Sequence, residues 1–441
     1  MSVNKAPLGR TFGNLFTANL ASSLGDGIAR TAMPLLAVRV TDDPLLISGI
    51  AALALLPWLF FAIPAGILID RIDRRLALAI ANGVRTVLAV ALLALSVGGG
   101  LTIWWLYLVV FVYGMFETVY DGAIRAVVPS IVDRGNLPRA NARIEAGEQV
   151  VQNFVSGPVT SLLFVIAVVI PLGLNALVYA AAVVLALLLP RVASGHQFTA
   201  MVDGEPRVAW YRQFVDGFRF IMANRMMRTL WFYSTFIGVL FSMATAGLVL
   251  FLLSRLGLPE ALFGVFMLSG AVGGILASFA VGWFKSRWGA GLTMAVMDLV
   301  SAVGLLFMGL VPTLWAAALG FFVTSATITV WNVLIMSLRQ SVVPGRLLGR
   351  VHGTWRTLLW GSMPLGALLG GLLGRVDLTL PFIVGGGLAT LASILFFRFL
   401  MTLPNPEDVD NGDRAGADSA GRVDDGDSQD DVGPAGVPVL D

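Results

Sequence analysis

The chain has 441 residues, 57% of them hydrophobic and 13% charged, a balance far from that of a soluble domain. It has no cysteine, two histidines (His196 and His352) and two lysines (Lys5 and Lys285). That excludes disulfides, thiol catalysis, iron–sulfur clusters, zinc sites built on paired histidines and the lysine-bearing phosphate loop of nucleotide-driven motors.

Apolar runs of about twenty residues recur along the chain, near 12–38, 46–69, 76–97, 103–125, 140–165, 167–189, 229–253, 261–284, 290–310, 313–338, 349–373 and 380–402. Each is long enough to cross a hydrocarbon core roughly 30 Å thick. None alternates as a barrel strand must, so the expected fold is an all-α polytopic membrane protein with twelve transmembrane helices. The first run is a full span without a small-residue cleavage site, unlike a cleaved leader. Basic residues cluster in alternate connections, whereas the intervening set holds only Arg39, Arg255 and Arg375. By the positive-inside rule both termini and the 190–228 connection are cytoplasmic. Within that connection Trp210 to Arg228 interleaves aromatic and basic residues at helical spacing, which predicts a helix lying on the inner leaflet.

The formal charge of +2 is a difference between opposed parts. Residues 403–441 hold eleven acids against Arg414 and Arg422, a net −9, so residues 1–402 carry +11. This tail, rich in Gly, Asp, Ala and Pro, is expected to be disordered and solvated.

The chain also repeats itself. Arg39 and Arg255 are 216 residues apart, as are Gly66 and Gly282; Pro44 and Pro259, Gly49 and Gly264, and the Val128-Pro129 and Val343-Pro344 pairs are 215 apart. Five matches in order predict two homologous six-helix halves, 1–189 and 229–402, joined by the 190–228 linker. Six is even, so the halves are parallel repeats with a binding site between them near the membrane midplane.

Residues 66–75, Gly66-Ile-Leu-Ile-Asp70-Arg71-Ile-Asp73-Arg74-Arg75, resemble the loop signature G-x-L-x-D-R-x-G-R-R of the major facilitator superfamily, with Asp73 in place of its second glycine. A second copy, Gly282 to Gly289, keeps two glycines and Arg287 but has lost the acid. Gly157-Pro158 resembles the core of an antiporter motif of that superfamily, while Val110 stands nearest to where many drug antiporters carry an arginine. Val128-Pro129 with Asn136-Leu137-Pro138-Arg139-Ala140-Asn141, and Arg339-Gln340 with Val343-Pro344 and Gly349-Arg350, resemble the branch containing the enterobactin exporter and macrolide efflux proteins. The resemblance implies a secondary transporter in the cell membrane of a prokaryote, acting as a monomer with no cofactor, metal, enzymatic activity or nucleic-acid partner. It further implies a gating loop formed by Gly66, Asp70, Arg71 and Arg74. In this loop Asp70 would cap a neighbouring helix near Leu347, and the arginines would reach acids such as Asp121.

Ionised residues at the bilayer centre are costly, so each needs a reason. Asp26 and Arg30 stand one helical turn apart in the first span, in the order that favours a mutual ion pair, and Gly25 and Gly27 flank the acid, allowing close helix approach. Span four carries Glu117 and Asp121 on one face, and span five carries Glu145, Glu148 and Gln152. In the resembled fold Asp26, Arg30 and Glu117 would share the central cavity, with the desolvation that a proton-coupling site requires. Arg85, Asp298 and Arg356 are further intramembrane charges to which the sequence assigns no role. In the second half Trp231, Tyr233, Phe236, Trp331 and Asn332 form an expected substrate wall suited to a bulky lipophilic molecule. The resulting expectation is proton-coupled efflux of a lipophilic drug-like or siderophore-like molecule. The alternatives are an uptake symporter or a non-transporting sensor that kept the fold.

Overall fold

The structure, a computed structural model, describes residues 8–69, 72–194 and 210–409. Among these, helices and their connections make up the whole architecture, and no strand occurs. In chain order the helices are α1 (Gly9–Val40), α2 (Pro44–Ile69), α3 (Arg74–Val97), α4 (Ile103–Ile131), α5 (Leu137–Gln149), α6 (Ser156–Ile166) and α7 (Val169–Leu187). They continue with α8 (Trp210–Ala223), α9 (Arg225–Thr245), α10 (Phe263–Leu310), α11 (Leu314–Val342), α12 (Gly345–Gly374) and α13 (Leu380–Met401). A π-helical turn, Val150–Val155, joins α5 to α6, and a second, Phe251–Arg255, follows α9.

Ten helical stretches among the described residues are long and apolar enough to cross a membrane. One of them contains α10, whose 48 residues are broken at Gly289 by a backbone with φ 76° and ψ 167°. At about 1.5 Å per residue, α10 has roughly twice the length that one crossing needs, so the chain reverses at this glycine. An L side chain would be strained there, whereas glycine is not. The matching position of the first loop, Asp73, has an ordinary φ of −57° and begins α3 as its N-cap, its carboxylate accepting from the Arg75 amide at 2.9 Å. The departure from the loop signature thus has a physical reason: one copy turns on a left-handed glycine, the other on a side-chain cap.

Helices α1 to α7 pack chiefly on one another, with α3 against α4 and α7, α2 against α4, and α1 against α7. Helices α9 to α13 form a second group, with α10 against α11 and α13, and α9 against α12 and α13. The groups meet along α2 with α12 and along α6 with α10.

Helix α8, expected on the inner leaflet, has a protein partner. It packs on the start of α12, where Arg350 pairs with Asp216 at 2.8 Å and the Thr354 hydroxyl donates to the Phe214 carbonyl at 3.2 Å. Gly217 permits this approach, and Ile221 is fully buried beneath it. Val215 and Phe218 on the same helix remain exposed, so the protein groove covers part of its apolar stripe. The tail, expected to be disordered from residue 403, is ordered through Val409. Leu403 is buried, Asn405 accepts from the Ala290 amide at 2.8 Å, and Glu407 pairs with Lys285. These contacts secure the turn at Gly289.

Candidate functional site

Between the two groups lies a cavity of about 260 Å³, lined by Met33, Ile47, Ile50, Val110 and Val249 and by the polar side chains of Asp26, Arg30, Tyr113, Glu117 and Tyr179. It shares Arg30, Pro34, Ala51, Ala246 and Val249 with a vestibule of about 1160 Å³ that reaches Glu145, Gln149, Ser278 and Asn332. The walls are apolar, and the polar groups converge from α1, α4 and α7, as in many small-molecule sites.

The charges are sorted into two ion pairs. Asp26 and Arg30 do not pair with each other, contrary to the i,i+4 expectation. Asp26 binds the Arg85 guanidinium from α3 at 3.1 Å and accepts from the Tyr179 hydroxyl of α7 at 2.7 Å. Arg30 turns the other way, to Glu117 of α4 at 2.8 Å and to Gln152 at 3.1 Å. The reason is helix packing, which offers each charge a better-placed partner on a neighbour than the one along its own helix. The glycines decide the geometry: a Cβ at Gly25 would lie 2.6 Å from the Tyr179 ring, and one at Gly27 would collide with Ser156. The π-helical turn after α5 carries Gln152, within reach of Arg30.

The pairs differ in exposure. The Arg85 side chain is fully buried and that of Asp26 is 12% exposed, whereas those of Arg30 and Glu117 are 58% and 22% exposed. Arg85 also touches Ser22 and Asn82, and its guanidinium stands over the rings of Tyr120 and Tyr179 at 5.4 and 5.5 Å. These ring faces attend a cation whose Nε and Nη2 have no hydrogen-bond acceptor. Tyr113 donates to Asn175 at 2.9 Å, and Asn175 donates to the Gly25 carbonyl at 2.7 Å, holding the α1 backbone in place.

At the end of the bundle where α1 terminates, two ion pairs bridge the groups: Arg39 with Glu260 at 2.6 Å, and Asp43 with Arg375 at 2.5 Å. The Arg375 hydrogen bonds hold the Asp43 carboxyl below the usual carboxylate range. Nearby, α6 and α10 approach at Gly157 and Gly264, where a Cβ on Gly264 would collide with the Gly157 carbonyl; the Gly264 amide donates to Ser161 at 2.7 Å. Gly157, singled out from its Gly-Pro motif, lies at this crossing and also lines the vestibule; Pro158 follows it in α6.

Other expectations fare differently. Arg74 does not reach Asp121; its guanidinium donates to the Ala126 carbonyl at 2.8 Å, which lies further along α4. Gly66 lies within α2, while Asp70 and Arg71, with the capping expected near Leu347, lie outside the described residues. The aromatic wall is largely elsewhere. Trp231 is buried and donates to the Trp355 carbonyl, Phe236 is exposed on the bundle's outer surface, and Tyr233 is buried against Asp298. Trp331 borders that same buried pocket, and Asn332 alone of the five lines the vestibule. Helix rotation, which composition does not reveal, separates these residues. Arg85, Tyr113, Asn175 and Tyr179 were missed as site residues; their signal is the scarcity of hydrogen-bonding groups in apolar spans.

The model of the transmembrane secretion effector family matches residues 3–429. The chain belongs to that family. It is a multi-pass membrane transporter of the major facilitator type, and no curated protein matches its sequence. Among solved structures, this chain is similar to a point variant of the nucleoside transporter NupG, at 14% identity and a TM-score of 0.72, covering 90% of this chain and 100% of that one. It is also similar to a bacterial homologue of the iron transporter ferroportin in an inward-facing state, at 15% identity and a TM-score of 0.70, covering 89% and 99%. A POT family transporter in complex with 5-aminolevulinic acid gives 13% identity and a TM-score of 0.66, covering 89% and 97%. At these identities the likeness concerns the fold.

Proposed function

We propose that this transporter exports a lipophilic drug-like or siderophore-like molecule in exchange for protons, as a monomer in a prokaryotic cell membrane, with both termini cytoplasmic. Counting α1 and both arms of α10 as separate crossings gives twelve spans, and the two helix groups are then the two halves of the repeat. The observation that carries this reading is the apolar cavity whose one solvent-accessible ion pair, Arg30–Glu117, lies where cavity and vestibule join.

Asp26, Arg85 and Tyr179 form the fixed part of the site, because a buried, multiply bonded pair is costly to separate. Glu117 is the exchangeable part. With both termini taken as cytoplasmic, the end closed at the α1 terminus by Arg39–Glu260 and Asp43–Arg375 faces outward, and substrate enters from the cytoplasm. Protonation of Glu117 then releases Arg30, and the site can reorganise around its cargo. A ligand shifts the conformational equilibrium only by its differential affinity for the two states, and the rearranged pair supplies that difference.

The test is flux in proteoliposomes of the purified full chain, with ethidium and a catecholate siderophore as probes. Efflux accelerated by an opposing proton gradient is the expected result, and in Glu117→Gln that acceleration is lost while probe exchange at equal pH continues. Flux driven by protons moving in the same direction as the probe would instead mark an uptake symporter. Absence of flux for every probe would favour the sensor.

A further inference from the structure

The second helix group contains a membrane-buried carboxylate that the transport site does not use. Asp298 lies in the second arm of α10, nine residues past the break at Gly289, and is 6% exposed. The Tyr233 hydroxyl from α9 and the Ser393 hydroxyl from α13 both meet its Oδ2, the latter at 2.5 Å. Tyr233 is the one titratable group facing it from α9; α13 presents Ser393, and α11 presents Thr327, Ile328 and Trp331. No arginine, lysine or histidine pairs with it among the described residues.

An isolated carboxylate in such surroundings is strongly disfavoured, and buried charges are otherwise found paired. The hydrogen inventory admits both protonation states, with Ser393 donating to a carboxylate or, when its hydrogen is on Ala389, accepting from a carboxyl. Ser393 has a single hydroxyl hydrogen, and its Oγ also lies 2.8 Å from the Ala389 carbonyl one turn back on α13. With that hydrogen on Ala389, the contact between Ser393 and Asp298 requires a hydrogen from the carboxyl. Beside the cluster is a cavity of about 60 Å³ bordered by Ser301, Thr327 and Trp331, large enough for water and roofed by hydroxyls that can bind it.

We propose that Asp298 is a proton-binding site. In this conformation its carboxyl holds a proton and donates it to Ser393; on release, the proton passes to water in the adjoining cavity and the Ser393 hydrogen turns from Ala389 to the new carboxylate. The site joins α9, α10 and α13, so its two protonation states favour different packings of these helices. Helix α9 in turn carries Val239 and Met243, whose backbone is approached closely by Gly366 and Gly370 of α12. The inference rests on burial and hydrogen bonding in the second group, and is independent of the direction and cargo of transport.

The experiment is infrared difference spectroscopy of the full-length protein in lipid nanodiscs, with isotope-labelled aspartate, as a function of pH. The expected result is a protonated-carboxyl C=O band at neutral pH that is missing in Asp298→Asn and retained in Asp26→Asn. Ser393→Ala, which keeps the carboxyl, should shift the pH at which this band disappears, and this arm stands even if Asp298→Asn does not fold. A band unaffected by both Asp298→Asn and Ser393→Ala overturns the proposal.

Discussion

Two buried polar clusters, one in each helix group, answer the same problem differently. Around Arg85 an anion is present: Asp26 lies 3.1 Å away, and two tyrosine rings flank the cation. Around Asp298 no cation is present among the described residues, and two hydroxyls serve instead. The difference teaches that the groups which neighbouring helices turn toward a buried polar side chain decide whether it can be ionised.

Breaking the first cluster should have the largest effect on stability. Arg85→Met leaves Asp26 buried without its counter-charge, a loss of about 3–5 kcal/mol by comparison with other broken buried pairs. It should appear as a large fall in the thermal midpoint of the detergent-solubilised protein. Asp298→Asn replaces a carboxyl already neutral with a neutral amide and should move that midpoint far less. Equal losses would erase the distinction between the clusters.

Glu117→Gln is expected to leave the midpoint near that of the parent, because Glu117 faces the cavity and its pair with Arg30 is partly screened. It should show its effect in transport alone, as lost acceleration by a proton gradient.

At the crossing of α6 and α10, Gly264→Ala places a methyl group against the Gly157 carbonyl and should cost roughly 1–3 kcal/mol by overpacking. The chain has no cysteine, so single cysteines introduced near this crossing would report by labelling whether the closed end has opened. Unchanged labelling would show that the crossing does not hold the groups together.

The smallest effect is expected from Asp43, which lies outside the membrane spans and is half-buried. Its carboxyl is held below the ordinary range by Arg375, so the pair contributes fully above the ordinary carboxylate value of about 4 and is lost as pH falls through the lowered folded value. The same cysteine labelling should rise only under strong acid in the parent, and Asp43→Asn should make it independent of pH in that window.

Much of the architecture was legible in the residues alone. Apolar runs of membrane length specify helices because lipid offers the backbone no other hydrogen-bond partner. The loop copies at Asp73 and Gly289 were likewise visible, and the charges Asp26, Arg30 and Glu117 line one cavity, as the resembled fold implied. Pairing was not legible. That Asp26 meets Arg85 and Arg30 meets Glu117 depends on which faces of α1, α3 and α4 are turned together, and several pairings satisfy the same composition. The same uncertainty sent Tyr233 and Phe236 to a substrate wall, when one lies in a buried cluster and the other on the outer surface. Periodicity determines that a helix spans the membrane, but its rotation about its own axis comes from side-chain packing against neighbours, and only the tertiary structure decides it.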